Sequence, residues 1–232
     1  MDENGNRPLK NEGQSEVLNS KIEQCDSYSE LQRATDAGQK DIVKSLIAKG
    51  VDINFQDNRG VTALHIAADK ERNDIADLLI EARAFMNAQN KEGKTPLMMA
   101  IERWNFGMIG SLVGYQANIH LTDHDGNTAL HHAVARGQIT VMKQLIKIGA
   151  DITAENHEGL NPLHLAVREG VVKSVTALIS SGAEVDAQTK RGETALFIAF
   201  NRGYEFIVTL LVAAGANTDA IPKSEKNTHY CA

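Results

Sequence analysis

Gly60, Gly93, Gly126, Gly159 and Gly192 stand 33 residues apart without a slip. No other feature of the chain restricts its fold as severely. A strict period of this length marks stacked supersecondary units, none able to bury its apolar face alone. Other columns keep the same register: Leu64, Leu97, Leu130, Leu163 and Leu196, then Ala67, Ala100, Ala133, Ala166 and Ala199. A second leucine column runs through Leu46, Leu79, Leu112, Leu145, Leu178 and Leu211.

Each column has a physical cause. A glycine in the turn before a helix takes positive φ without a Cβ clash. Two residues on, Thr62, Thr95, Thr128, Asn161 and Thr194 offer short side chains that cap exposed amides at a helix start. Pro96 and Pro162 follow in their units, where a first-turn N–H has no intrahelical partner to lose. The alanines mark close approach of neighbouring helices. A second helix follows, as in Ile139, Val141, Met142, Leu145 and Ile146. Gly149-Ala150, Gly182-Ala183 and Gly215-Ala216 end it in the left-handed manner of a C-terminal glycine.

The segments GVTALHIAA (60–68), GNTALHHAV (126–134) and GLNPLHLAV (159–167) resemble the ankyrin signature. The resemblance implies an all-α solenoid of stacked helix-turn-helix units with β-hairpin-like fingers. Five clear repeats are expected at 57–89, 90–122, 123–155, 156–188 and 189–221. A degenerate unit and N-terminal cap would occupy 15–56, with Leu31, Ala34, Gly38, Val43 and Leu46 in register but Ser27 in place of the turn glycine. Terminal units of such arrays are commonly atypical, because one face has no neighbour. Residues 1–14 are polar and expected to be disordered, and 222–232 read as a tail. Phe197, Phe200 and Phe206 make the last unit apolar for a cap, so either the tail covers it or more repeats follow.

Composition agrees. The chain is 42% hydrophobic but only 5% aromatic, with one tryptophan, which suits short helices packed through Leu, Ile, Val and Ala. The net charge of −6 argues against a general nucleic-acid binder. Cys25 and Cys231 build neither a disulfide framework nor a zinc site by themselves. With no signal-like start and no long apolar run, a cytoplasmic or nuclear location is expected.

The histidines invite a catalytic or metal reading. His65, His131 and His164, however, fill one repeat column, and a ligand cluster has no cause to recur every 33 residues. The resemblance implies that they hold the turns by hydrogen bonds. His131 and His132 are sequential on a helix and point apart. His124 and His157 share a finger column, where solvent exposure competes with a weak metal or pH-sensitive contact. No nucleophile motif or phosphate-binding loop is found, so no enzyme activity and no cofactor are expected.

The resemblance implies a partner held along the concave face by finger tips and by the ends of the first helices. On the fingers this selects Arg59, Lys91, Lys94, His124, Asn127, His157, Leu160 and Arg191. On the helix ends it selects Lys70, Arg103, Arg136, Arg168 and Arg202. Lys70, Arg103, Arg136 and Arg202 are in register, interrupted by Glu169 with Arg168 beside it. This basic row either receives an acidic or phosphorylated segment or merely offsets helix dipoles.

The middle units break their own pattern. Glu71 and Trp104 stand where Gly137, Gly170 and Gly203 would be expected, and Arg83 and Gln116 stand where the Gly-Ala turn would. Rule-breaking in a repeat array is a pointer to function. Trp104, with Phe106 and Met108 nearby, is either an exposed anchor or a filler beneath its own finger. The function expected is a non-enzymatic scaffold, monomeric when free, acting as adaptor, inhibitor or assembly factor. The alternatives are a module that recruits or regulates an enzyme, a host-directed effector included, and nucleic-acid binding through the basic row.

Overall fold

The computed structural model describes residues 29–220, and the cysteines and both chain ends lie outside them. Among the described residues, twelve helices alternate in length. The first of each unit has seven residues: α1 (Glu30–Asp36), α3 (Ala63–Asp69), α5 (Pro96–Glu102), α7 (Ala129–Ala135), α9 (Pro162–Arg168) and α11 (Ala195–Asn201). The second has nine: α2 (Lys40–Ala48), α4 (Asn73–Glu81), α6 (Phe106–Gly114), α8 (Ile139–Lys147), α10 (Val172–Ser180) and α12 (Glu205–Ala213). A 3₁₀ turn, Thr218–Ala220, follows. Odd helices pack on odd, each odd helix on its own even partner, and even helices on even except between α6 and α8, where little contact is made, giving two layers.

The core lies between the layers. The alanines from Ala67 to Ala199 have no exposed surface, and the leucines from Leu79 to Leu211 are equally sealed. A larger side chain in the alanine column would push neighbouring odd helices apart. Leu31, Ala34, Val43 and Leu46 of the degenerate unit join the same core.

Helix starts are capped as the sequence predicts. Ser29, Thr62, Thr95, Thr128, Asn161 and Thr194 each accept from the backbone N–H three residues on. In four units the cap is reciprocal, and the residue reaching back is His65, His131, His164 or, in the first unit, Gln32. Those side chains also tie unit to unit. His65 Nε2 lies 3.0 Å from the Lys94 carbonyl, His131 Nε2 3.1 Å from that of Leu160, and His164 Nε2 2.8 Å from that of Ala187.

The fingers are turns more than strands. Among the described residues the pairing is limited to isolated bridges, Thr122 with Thr128 and Gln188 with Thr194. A column overlooked in the sequence organises each turn: Asp57, Asn90, Asp123, Asn156 and Thr189 accept from the backbone N–H groups two and four residues on. Successive tips are bonded, Lys91 N–H to Arg59 C=O, His124 to Glu92 and His157 to Asp125. A Cβ on Gly93 would sit 2.6 Å from the His124 nitrogen, so that glycine serves the contact between fingers as well as its own φ of 76°.

The pattern breaks leave the backbone unchanged. Glu71, Arg83, Trp104 and Gln116 take φ of 57°, 70°, 61° and 62°, the left-handed conformation that glycine holds in the other units. Each costs roughly 1 kcal/mol or more against glycine.

A candidate protein-binding face

Two open grooves lie between the fingers and the odd helices. The first, about 590 Å³, has Val61, Ile66 and Met99 among its apolar lining, with Arg59, Lys70, Lys91, Lys94 and Arg103 around it. Asp36, Asp69, Glu92 and Glu102 bring acidic charge to the same space. The second, about 650 Å³, is lined by Leu160 and Ile198 with Arg168, Lys190, Arg191 and Arg202 against Glu158 and Glu193.

The basic row is therefore not uniform. Arg103 is committed: its Nε and Nη2 both lie 2.6 Å from Asp69 Oδ1. Lys70 lies 3.4 Å from Asp69 and 3.9 Å from Asp36. Arg168 bonds Glu158 at 3.0 Å, and Arg59 lies 3.3 Å from Asp57. Arg136 and Arg202 are exposed and make no ion pair among the described residues. Uncommitted positive charge thus concentrates in the C-terminal half of the row. Arg191 and Lys91 are exposed finger cations there and in the first groove, and Lys190 Nζ donates to the His157 carbonyl at 2.7 Å.

Several expected contact residues are occupied within the fold. Leu160 retains only 5% exposure, so it belongs to the groove floor and not to a projecting tip. The finger turns there because Asn156 holds its N–H and His131 its carbonyl. The Asn127 side chain is spent on Asp123 and Asn156. His124 and His157 are exposed, and among the described residues no group of three His, Cys, Asp or Glu side chains is placed to hold a metal.

One cluster escaped the sequence reading. Lys94 Nζ lies 3.0 Å from both Glu92 and Glu102; Glu102 lies 3.3 Å from His132 Nδ1; and His132 Nε2 lies 3.0 Å from Asp123. This chain joins the finger and odd helix of one unit to those of the next. Burial opposes charge on Lys94, Glu102, Asp123 and His132, yet their hydrogen bonds win. They pull the Glu102 and Asp123 carboxyls down to about 2 and raise His132 above its ordinary value. His131, its neighbour in sequence, is buried the other way and shifted down by desolvation. The two histidines do point apart.

Trp104 lines neither groove. It follows the C-terminal end of α5, 49% exposed, in edge contact with Phe106 at 6.2 Å. Its indole is therefore exposed and not a filler beneath its own finger, while Met108 is fully buried. No helix among the described residues is long and apolar enough to cross a membrane.

Comparison with known proteins agrees with the geometry. The profile for ankyrin repeats in three copies matches residues 31–120 and 103–189, and that for a single ankyrin repeat matches 191–223. Among solved structures, the ankyrin repeat domain of Bcl-3, described as a unique member of the IkappaB protein family, is 30% identical with a TM-score of 0.78. The match covers 84% of this chain and 89% of that one. An ankyrin repeat domain from Acinetobacter baumannii AYE is 29% identical with a TM-score of 0.75, over 81% and 98% of the two chains. No curated protein matches the chain. Ankyrin repeats are in general protein–protein interaction modules, and this chain, an all-α stack of helix pairs joined by finger turns, belongs to the ankyrin-repeat family.

Proposed function

We propose that the protein is a non-enzymatic scaffold, an adaptor, inhibitor or assembly factor, that captures a partner in the grooves between its fingers and odd helices. One observation carries this reading. The second groove combines an apolar floor, Leu160 and Ile198, with a rim in which Arg168, Lys190, Arg191 and Arg202 outnumber Glu158 and Glu193. On a chain of net charge −6, that local excess favours an acidic or phosphorylated segment, since guanidinium pairs with carboxylate and phosphate through two parallel hydrogen bonds. Arg136 extends the same uncommitted charge one unit toward the N-terminus.

The family supports binding as the general mode, and the likeness to the ankyrin repeat domain of Bcl-3 agrees with it. The partner's identity is a separate question, because one fold serves many pathways. The test is affinity capture from the native cell, with proteins identified by mass spectrometry, using the wild-type chain and Arg136→Glu/Arg202→Glu. The reading expects specific partners to be lost from the variant while its far-UV CD melt is unchanged. Equal capture by the two chains would overturn it.

A further inference from the structure

The outer face of the even layer carries a second surface, independent of the grooves. α6, Phe106–Gly114, is the one even helix among the described residues with no charged side chain. Gly107, Gly110 and Gly114 all lie on its exposed side, and a Cβ on Gly110 or Gly114 would meet nothing within 4 Å. Phe106, 54% exposed, and Tyr115, 46% exposed, stand at its two ends.

The neighbours are charged in opposite senses. The charges within α4 are all acidic, Asp74, Asp77 and Glu81, and those within α8 are all basic, Lys143 and Lys147. The 33-residue register aligns them: Asp77, Gly110 and Lys143 share one position in three successive units, and Glu81, Gly114 and Lys147 share the position one turn on. None of these four charged residues makes an ion pair among the described residues.

We infer that this face binds a second copy of the chain, with α6 against α6 about a two-fold axis parallel to the helix. That operation lays α4 of one copy over α8 of the other at equal depth. Asp77 then faces the second copy's Lys143, and Glu81 its Lys147, with each pair formed twice. A two-fold axis running across the helices would set acid on acid and base on base, so the charges select the parallel arrangement. The glycines supply the remaining requirement. Gly110 and Gly114 put no side chain between the two α6 backbones, so these can approach closely and bring the flanking helices within reach. The exposed-glycine face thereby gains a purpose that helix formation alone does not give it.

The experiment is sedimentation equilibrium of the full chain at sub-millimolar concentration. The wild type should approach twice the 25.3 kDa chain mass and dissociate as salt is raised. Gly110→Gln/Gly114→Gln should sediment as a single chain while keeping or raising its melting temperature, because both side chains enter open space. Asp77→Lys/Glu81→Lys and Lys143→Glu/Lys147→Glu should each be monomeric alone, and an equimolar mixture of the two should recover the paired species. A wild-type chain that stays at 25.3 kDa overturns the inference. So does a dimer that both charge-reversed chains form unaided.

Discussion

The Gln32 side-chain amide donates to the Val61 carbonyl over 2.7 Å, the bond that His65 makes to Lys94 one unit later. A degenerate unit has kept the link between repeats while losing the histidine. Gln32→Ala should cost about 1–2 kcal/mol in urea melts, since it removes the reciprocal cap and one of the two hydrogen bonds that the Val61 carbonyl accepts, the other coming from the Asp57 N–H. Gln32→His should recover most of that loss, and amide exchange should show the damage concentrated in α1 and α2.

The same column sets an acid sensitivity. Burial lowers His65 to about 4 and pushes His131 and His164 down as well. For a base whose folded value lies below its unfolded one, the unfolded chain binds more protons as pH falls beneath about 6.5. Stability from these three residues is therefore complete above that pH and falls away toward pH 4, with His65 alone contributing a loss of up to about 3 kcal/mol. His132 runs the other way: its contribution is present below its unfolded value and fades as pH rises through its raised folded one. Urea melts from pH 8 to pH 4 should flatten for His65→Gln at the acid end and for His132→Gln at the alkaline end.

All four left-handed non-glycine residues offer a stabilising change, three of them without loss of an aromatic ring. Glu71→Gly, Arg83→Gly and Gln116→Gly should each add about 0.5–1 kcal/mol by relieving the positive-φ strain. Calorimetry of the triple variant should show a melting temperature higher by several degrees, about 2–4 °C per kcal/mol for a chain of this size.

Trp104→Gly separates backbone from side chain. The substitution relieves a φ of 61° and deletes the exposed indole, so the protein should become more stable. In the wild type, a 49% exposed ring should emit near the red end of the tryptophan range and be quenched readily by acrylamide. A blue-shifted, protected emission would contradict its placement.

Much of this architecture was legible in the sequence because each column meets a local need that recurs. Gly60 turns a finger, Thr62 caps a helix and Ala67 admits a neighbour, so five copies of each leave little freedom. What escaped depended on contacts between columns. Lys94, Glu102, Asp123 and His132 come together only when two units stack, and His132 lies beside a structural histidine that concealed it. Asp57 and its column counterparts leave no plain signature because Asp, Asn and Thr alternate there, although one oxygen acceptor serves every turn. The sequence presents the basic row as four equal charges, whereas in the fold Arg103 pairs with Asp69 while Arg136 and Arg202 make no ion pair among the described residues.

Amide hydrogen exchange of the full chain, alone and bound to a captured partner, tests the groove most directly. The account predicts slowed exchange at the finger tips around Glu158 and Arg191 and along α7, α9 and α11, with the even helices unchanged. Protection confined to the even helices, with the fingers exchanging as in the free chain, would contradict it.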